Sequence, residues 1–191
     1  MREKELRHEI VKACRKLVIY GLTFSSLGNV SVRYEDGLLI TPSGVRFDEL
    51  RPSEIVYVGL DGNILRGRKP SVETPMHIAV YKSINNASAI IHAHAPYATV
   101  LGTRMNKIVS EYEEAKAYGL NIIPVCEPAP SGTQKLAQNV VDALKKCKVI
   151  VIPNHGLVAY ADNLSEALSL IEIAESIAKK KIIERLINFL R

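Results

Sequence analysis

Two apolar runs that each lead into histidine place the strongest constraint on how this chain folds. The first run, residues 87–91, continues into His92 and His94, and the second, residues 149–152, continues to His155. A proline closes each segment, and proline has no amide hydrogen for a strand ladder, so both runs are predicted to be buried strands that end there. Because side chains alternate across a strand, residues two apart emerge on one face with Cα atoms about 6 to 7 Å apart.

The three strand-end histidines form a candidate metal site. Imidazole nitrogens bind zinc at about 2.0 to 2.1 Å, and three neutral imidazoles leave an open coordination position, which is typical of a catalytic site. A single histidine is more often an ordinary hydrogen-bonded residue, but an unpaired imidazole at the end of an apolar strand is costly to bury. We therefore predict His92, His94 and His155 as ligands. The remaining two histidines, His8 and His77, fall in predicted helices and are expected to be ordinary.

Glu73 lies at a predicted helix start, where Thr74 is expected to be the N-cap and Pro75 the first helical residue. The carboxylate either complements the helix dipole or is directed at the metal. A metal with an open position lowers the pKa of a bound water, as in a hydrolase or hydratase. Alternatively it polarises a carbonyl and stabilises an enediolate, as in an aldolase or epimerase, and this second chemistry needs a base. Glu73 is the best candidate for that base.

Length and composition are those of a globular protein. The chain has 191 residues, of which 47% are hydrophobic and 24% charged, so a single domain over residues 1–191 is expected. The formal charge is +5, but lysine and arginine are spread along the chain, so no nucleic-acid partner is expected. A small phosphorylated substrate and a solvated basic surface both fit this charge.

The chain carries features of a cytoplasmic protein. Its three cysteines, Cys14, Cys126 and Cys147, have neither CxxC spacing nor a disulfide pattern and are predicted to be free thiols. No signal peptide and no apolar stretch of about 18 residues is recognisable, so no membrane partner is expected. The abundance of lysine, glutamate and isoleucine, with no tryptophan, favours a thermophilic source.

Periodicity predicts an α/β fold with a largely antiparallel sheet. Helices are predicted over residues 3–20, 75–84, 97–103 and 134–146, followed by a final helix capped by Asn163 or Ser165. Strands are predicted over residues 30–34, 38–41, 55–60, 64–65, 87–91, 149–153 and 157–160, with an edge strand or extended segment over 120–126 and a loop over 128–133. A Rossmann fold is disfavoured because no glycine-rich GxGxxG turn joins a strand to a helix.

Two short loops flank the first predicted hairpin and carry hydroxyl groups and glycine. They are residues 25–29 and 41–44. Their backbone N–H groups and side-chain donors suit a phosphate, although serine and glycine loops of this length are usually only turns.

Five motifs in this order resemble the class II aldolase/adducin family, and within it the branch that acts on L-fuculose 1-phosphate. The resemblance extends from about residue 3 to residue 173. The motifs are Gly28-Asn29-Val30-Ser31, Thr41-Pro42-Ser43-Gly44, Pro70-Ser71-Val72-Glu73-Thr74, His92-Ala93-His94-Ala95-Pro96 and Asn154-His155-Gly156.

The resemblance implies a three-layer α/β/α sandwich around a mostly antiparallel sheet, and a homotetramer with active sites at subunit interfaces. It implies one Zn²⁺ per subunit on His92, His94 and His155, with Mn²⁺ or Co²⁺ as alternatives. Glu73 then ligates the resting metal and becomes the general acid/base. Tyr112 matches a tyrosine that reaches a neighbouring subunit's site and protonates the aldehyde oxygen.

The implied reaction is cleavage or formation of a ketose 1-phosphate through a metal-stabilised enediolate, with dihydroxyacetone phosphate and an aldehyde such as lactaldehyde as the other partners. Val72 stands where the family usually has a second hydroxyl, so one phosphate contact is expected to be lost. The chain also lacks the longer enzymes' C-terminal tyrosine, which favours a compact archaeal type with broad aldehyde tolerance. The residues implied for the substrate are Ser26, Gly28, Asn29, Ser43, Gly44, Ser71 and Val72.

Three other functions remain open. A methylthioribulose-1-phosphate dehydratase keeps the same histidines and glutamate. The ribulose-5-phosphate 4-epimerases usually have aspartate at the position of Glu73, which argues against them. A non-catalytic interaction module like the adducin head normally lacks the ligating histidines, so their presence here disfavours it.

Overall fold

The computed structural model describes residues 2–190, which form nine strands and six α-helices. The strands are β1 (Asn29–Tyr34), β2 (Gly37–Ile40), β3 (Val56–Gly59), β4 (Ile64–Arg66), β5 (Ala89–Ala93), β6 (Lys107–Val109), β7 (Ile122–Pro124), β8 (Val149–Ile152) and β9 (Gly156–Ala161). The helices are α1 (Glu3–Ile19), α2 (Thr74–Ser83), α3 (Pro96–Gly102), α4 (Glu113–Ala117), α5 (Gln134–Leu144) and α6 (Leu164–Phe189).

Seven of the strands form a central sheet in the order β4-β3-β2-β1-β5-β9-β8, and every pair in it is antiparallel. β6 and β7 form a separate antiparallel pair. The segment predicted as extended over residues 120–126 therefore contributes β7 to this small second sheet, and directly after β7 Val125 forms an isolated parallel bridge with Val151 of β8. Pro124 ends β7, as expected of a residue that cannot donate to a ladder.

Helices cover both faces of the central sheet, which confirms the predicted mixed α/β fold with a mostly antiparallel sheet. Alternate residues of β5 show how the core divides: Ile91 packs with α1, α3 and α6, whereas Ile90 packs with α2 and α5. His92 follows Ile90 with the strand's period of two, so its ring lies on the α2 and α5 side. The layers therefore place the start of α2 beside the histidine strand.

Side-chain caps fix the starts of α5 and α6. Thr133 accepts the Leu136 N–H at the start of α5, and Asn163 accepts the Glu166 N–H at the start of α6, which decides between the two predicted caps of that helix.

The prediction of Thr74 as N-cap is wrong by one residue, because α2 begins at Thr74 and Glu73 is its N-cap. A tight turn causes the shift: the Thr74 N–H and hydroxyl both donate to the Ser71 carbonyl. Glu73 makes no side-chain capping bond, so its carboxylate is free to point elsewhere.

Glu175 of α6 holds the start of α3, the helix that follows the histidine strand. Its two carboxylate oxygens accept the backbone N–H groups of Tyr97 and Ala98 at 2.8 and 2.9 Å. The N-cap of α3 is Ala95, which has no side-chain acceptor of its own. A buried carboxylate from another helix thus replaces the missing cap and ties α3 to α6. Within residues 2–190, no helix combines the length and apolarity needed to cross a bilayer.

Replacing this carboxylate is expected to destabilise the fold. E175A leaves two helix N–H groups without their acceptor, so the free energy of unfolding should fall by about 1 to 3 kcal/mol. Chemical denaturation monitored by circular dichroism measures the change. The matched control is E172A, one turn earlier on α6, which should change stability by less than about 0.5 kcal/mol. Equal losses in the two variants would contradict the capping role.

Candidate metal centre

Strand pairing brings the three predicted ligands together. His92 lies in β5, opposite Asn29 of β1 on one side and Val158 of β9 on the other. His94 follows the end of β5, and His155 lies in the turn between β8 and β9. A Cβ at Gly156 would lie 2.2 Å from the Ala93 carbonyl oxygen. Only glycine therefore allows this turn to approach β5 closely enough to add its histidine to the other pair.

The three imidazoles face one another at metal-binding distances. Their ring centroids are 5.0 Å apart for His92 and His94, 4.6 Å for His92 and His155, and 4.9 Å for His94 and His155. One ring nitrogen from each lies within 4.8 Å of the others. The structure thus assembles the predicted tripod from two separate strand ends.

The ring nitrogens of His92 and His155 and the carboxylate of Glu73 lie close to one another. Nδ1 of His92 lies 2.9 Å from the Leu157 carbonyl, which can only accept, so Nδ1 carries the ring proton and Nε2 presents its lone pair. That Nε2 lies 3.1 Å from Nε2 of His155 and 3.2 Å from Oε2 of Glu73. Lone pairs this close repel unless a proton or a cation lies between them.

Glu73 completes the cluster. Its second oxygen, Oε1, lies 3.8 Å from Nε2 of His155 and is buried with no hydrogen-bond partner among the described residues. A buried carboxylate oxygen without a partner is costly. Three imidazole nitrogens and a carboxylate oxygen are ligands that Zn²⁺ accepts, so these residues fit a divalent cation.

The environment keeps the imidazoles ready to bind a metal. Burial, with a smaller contribution from the neighbouring His92, lowers the pKa of His94 to about 4. Burial also lowers the pKa of His155, again with a contribution from His92. Burial opposes the ionisation of Glu73, but the charge interactions with His92 and His155 and the hydrogen bond from Asn29 bring its net pKa below the ordinary value. Neutral imidazoles beside an ionised carboxylate are the protonation states that a metal requires.

The two remaining histidines lie outside the cluster. His8 is exposed on α1, where Nδ1 lies 2.6 Å from the Lys4 carbonyl. His77 is fully buried in α2 and contacts Asn29 and Ser31. His77 lies outside the histidine cluster. The prediction that it is an ordinary residue did not include its contact with Asn29. Its spacing of four residues from Glu73, which puts both on one face of α2, is the signal that identifies it.

A cavity of about 230 Å³ opens beside Glu73, His94 and His155. Gly28, with φ +83°, lies so close to β5 that a Cβ would be 2.5 Å from the His92 carbonyl oxygen. All seven residues implied for the substrate line this cavity: Ser26, Gly28, Asn29, Ser43, Gly44, Ser71 and Val72.

Ser131 also lines the cavity, although sequence reasoning assigned residues 128–133 only to a loop. Gly132, with φ +76°, brings this loop against Val72, since a Cβ there would lie 2.9 Å from the Val72 carbonyl oxygen. The contact joins segments about 60 residues apart in sequence, and local patterns do not encode such pairings. Gly132, directly after Ser131, is the local feature that could have indicated this close approach.

Tyr112 does not line this cavity. It is the N-cap of α4, and its hydroxyl donates to Glu184 of α6. Burial and the bond to Glu184 raise the pKa of Tyr112 to about 12, so the phenol is protonated at neutral pH. Its role in a neighbouring subunit's site remains a prediction.

Removal of one imidazole is expected to abolish tight metal binding. H155A should weaken Zn²⁺ or Co²⁺ binding by at least about 100-fold, since even outer-shell partners of a metal are worth about 10- to 100-fold. Competition with a chromophoric chelator measures the affinity and the expected stoichiometry of one ion per chain. H8A, which removes the exposed histidine, is the control and should bind as the unmodified chain does. Unchanged affinity in H155A would rule out the tripod.

Known proteins match the chain over nearly its whole length. The family model described as Class II Aldolase and Adducin N-terminal domain matches residues 8–182. L-fuculose phosphate aldolase of Escherichia coli (strain K12) is 36% identical over 179 residues, which cover 94% of this chain and 83% of that protein. The 5-methylthioribulose-1-phosphate/5-deoxyribulose-1-phosphate aldolase of Rhodospirillum rubrum is 34% identical over 175 residues, covering 92% of this chain and 79% of the relative.

A solved structure matches equally well. An L-fuculose 1-phosphate aldolase superposes with a TM-score of 0.91 at 34% identity, covering 96% of this chain and 87% of that one. The family acts on small phosphorylated sugars, and its aldolases are typically metal dependent. The chain belongs to the class II aldolase/adducin family and is an enzyme of the class II aldolase type.

Proposed function

We propose that the chain is a zinc-dependent aldolase that cleaves a ketose 1-phosphate of the L-fuculose 1-phosphate type. The products are dihydroxyacetone phosphate and an aldehyde such as lactaldehyde, and the same site catalyses the reverse addition. The observation that carries this proposal is the convergence of three imidazoles and Glu73 at one end of a hydroxyl-lined cavity. The similarity to L-fuculose phosphate aldolase supports the choice of substrate.

His92, His94 and His155 would hold the zinc ion, and Glu73 would be a further ligand before substrate arrives. Mn²⁺ or Co²⁺ could occupy the same ligands. When bound, such a cation polarises the substrate carbonyl and stabilises negative charge that develops on its oxygen. The unpartnered Oε1 of Glu73 supports a role for this carboxylate at the site.

The cavity suits a phosphate through neutral donors. Among the described residues, those that line it include no lysine or arginine, but they include hydroxyl groups of Ser26, Ser43 and Ser71. Loops in which glycine takes a left-handed conformation turn successive N–H groups towards an anion. Gly28 and Gly44, with φ of +83° and +73°, provide such turns at the cavity. Val72 contributes only an apolar side chain there.

Glu73 and Tyr112 would move the protons. In the addition direction, Glu73 takes a proton from the hydroxyl-bearing carbon next to the carbonyl of dihydroxyacetone phosphate. The electron pair of that C–H bond attacks the aldehyde carbon, and the aldehyde oxygen takes a proton from the Tyr112 hydroxyl of a neighbouring subunit. The proton on Glu73 then returns to Tyr112, so the enzyme ends unchanged. Cleavage is the reverse sequence.

A second substrate has a specific observation in its favour. The relative from Rhodospirillum rubrum acts as an aldolase on 5-methylthioribulose 1-phosphate and 5-deoxyribulose 1-phosphate. These substrates share the ketose 1-phosphate end and differ in the aldehyde part, so the same cavity would bind them. A dehydratase acting on methylthioribulose 1-phosphate would instead release water and leave a diketone, which separates that alternative in an assay.

The assembly and location belong to the same proposal. The chain would act as one domain, in a cytoplasmic homotetramer with active sites at subunit interfaces. The position of Tyr112, outside its own chain's cavity, supports an arrangement in which a neighbour completes each site. Composition supports a thermophilic source.

The direct test offers L-fuculose 1-phosphate to the zinc-loaded enzyme and follows the release of dihydroxyacetone phosphate. A parallel panel of aldehydes with dihydroxyacetone phosphate, before and after chelation, defines the aldehyde preference. We expect cleavage that chelation abolishes. A diketone product would rule out the aldolase proposal in favour of the dehydratase.

The role of Glu73 is tested by E73Q. The neutral amide cannot take the proton, so turnover should fall by about 10²- to 10⁴-fold. Zinc content should remain near one per chain, because the three imidazoles are intact. Elemental analysis and steady-state kinetics on the same preparation measure both. Retained turnover would remove Glu73 from the mechanism.

The role of Tyr112 is tested by mixing subunits. If Tyr112 serves a neighbour's site, E73Q and Y112F are each inactive alone but complement each other when unfolded together and reassembled. A site then combines Glu73 from one subunit with Tyr112 from another, and random mixing restores about a quarter of the sites. Activity that stays at the level of the separate variants would place Tyr112 outside the neighbouring site.

A further inference from the structure

A chain of hydrogen-bonded buried side chains leads away from Glu73 into the layer between the sheet and α2. Oε2 of Glu73 accepts from Nδ2 of Asn29 at 3.2 Å, and Oδ1 of Asn29 lies 2.6 Å from Nε2 of His77. Nδ1 of His77 lies 2.6 Å from Oγ of Ser31, which lies 2.8 Å from the hydroxyl of Tyr81. Each of these five residues is at most 4% exposed. The chain joins β1, α2 and the candidate active site.

Elementary chemistry fixes the direction of these bonds. An ionised carboxylate only accepts, so the Asn29 amide nitrogen faces Glu73 and its carbonyl oxygen faces His77. That oxygen also only accepts, so Nε2 of His77 carries a proton. With a single ring proton on Nε2, Nδ1 presents its lone pair to the Ser31 hydroxyl 2.6 Å away and accepts from it. Ser31 in turn accepts from Tyr81.

The side-chain amide of Asn29 is the one group in this hydrogen-bonded series whose orientation could be reversed. Rotating this amide by half a turn exchanges its oxygen and nitrogen and hardly changes the shape of the side chain. The rotated amide would place its oxygen against the carboxylate of Glu73. Within residues 2–190, His77 is the other side chain that hydrogen-bonds this amide. The Nε2–H group of His77 disfavours the rotated amide, because this N–H group and the amide N–H groups of Asn29 would then face each other as two donors. Glu73 and His77 therefore select the same orientation of Asn29, and the Nε2–H group of His77 excludes the rotated one.

The hydrogen bonding of Glu73 depends on the orientation of the Asn29 amide. Asn29 supplies the hydrogen bond to Oε2, while Oε1 has no partner among the described residues. In the proposed function, on which this inference rests, Glu73 must leave the metal and take a proton from the substrate. A donor of fixed direction on one oxygen keeps the carboxylate ionised and leaves the other oxygen free for that step.

We propose that His77 is a positioning residue for the reaction: its Nε2–H group holds the side-chain amide of Asn29 in the orientation that donates to Glu73. The neighbouring Ser31 holds the imidazole in the required tautomer by donating to Nδ1. Tyr81 contributes to packing and donates a hydrogen bond to Ser31, but it does not determine the direction of the hydrogen bonds among Ser31, His77 and Asn29.

The tautomer is measurable without activity or bound metal. A two-bond ¹H–¹⁵N correlation spectrum of the metal-free chain, with His77 assigned by comparison with H77Q, reports which ring nitrogen carries the proton. We expect the proton on Nε2 at neutral pH. A proton on Nδ1 would require the reversed Asn29 amide and would overturn the proposal.

Kinetics of metal-loaded variants test the functional consequence. H77F removes the donor, and kcat should fall by about 10- to 100-fold, while zinc stays at one per chain. H77Q can place an amide N–H near the position of Nε2 and should recover most of that loss. Y81F is the matched control: it removes a buried hydroxyl from the same chain and should lower stability but leave kcat within about twofold.

The outcomes separate a positioning role from a structural one. If kcat in H77F, H77Q and Y81F followed their loss of stability, His77 would be structural and the proposal would be wrong. Should H77F fail to fold, H77Q and the tautomer measurement decide. E73Q keeps this inference distinct from the proposed function, because active E73Q would overturn the role of Glu73 whatever tautomer His77 adopts.

Discussion

The close approach of three imidazoles and one carboxylate is the interaction on which the site depends. Nδ1 of His92 is engaged by the Leu157 carbonyl, so its Nε2 must face Nε2 of His155 and the carboxylate of Glu73. Strand pairing and the close approach at Gly156 hold these atoms together. The energy that makes the cluster possible comes from the apolar sheet beneath it. A divalent cation at this point would be coordinated by all of these groups at once.

The antiparallel sheet supplies the required precision. β5 lies between β1 and β9, so His92 is flanked by Asn29 on one side and by the strand that follows His155 on the other. Glycines at positions 28 and 156 let both neighbouring segments approach the backbone of β5 more closely than any side chain would allow. The histidine cluster and the loops that line the cavity are therefore held by the same ladder, which keeps their separation fixed.

Local sequence patterns predicted the features that depend on local physics. Alternation, apolar runs and caps indicated most strands and helices, and the prolines after the histidine strands marked the ends of those strands. The N-cap of α2 was displaced by one residue, because the turn from Ser71 competes with the cap. Ser131 and the capping of α3 by Glu175 were missed, since each joins segments far apart in the chain. The motifs that resemble the family indicated the cavity residues that periodicity alone left open.

The buried polar chain behind Glu73 shows why His77 and His92 differ despite similar burial. His92 donates from Nδ1 to a backbone carbonyl and its Nε2 faces His155 and Glu73, whereas His77 has both ring nitrogens hydrogen-bonded to side chains. Hydrogen-bond partners, and not exposure, thus distinguish the proposed ligand from the proposed positioning residue.

X-ray absorption at the zinc edge of the loaded enzyme tests the central claim most directly. Coordination by His92, His94 and His155 predicts a shell of nitrogen and oxygen atoms at about 2.0 to 2.1 Å, with the multiple-scattering pattern of three imidazoles. A shell containing sulfur at about 2.3 Å, or a pattern with fewer than two imidazoles, would contradict a zinc site built on these strand ends.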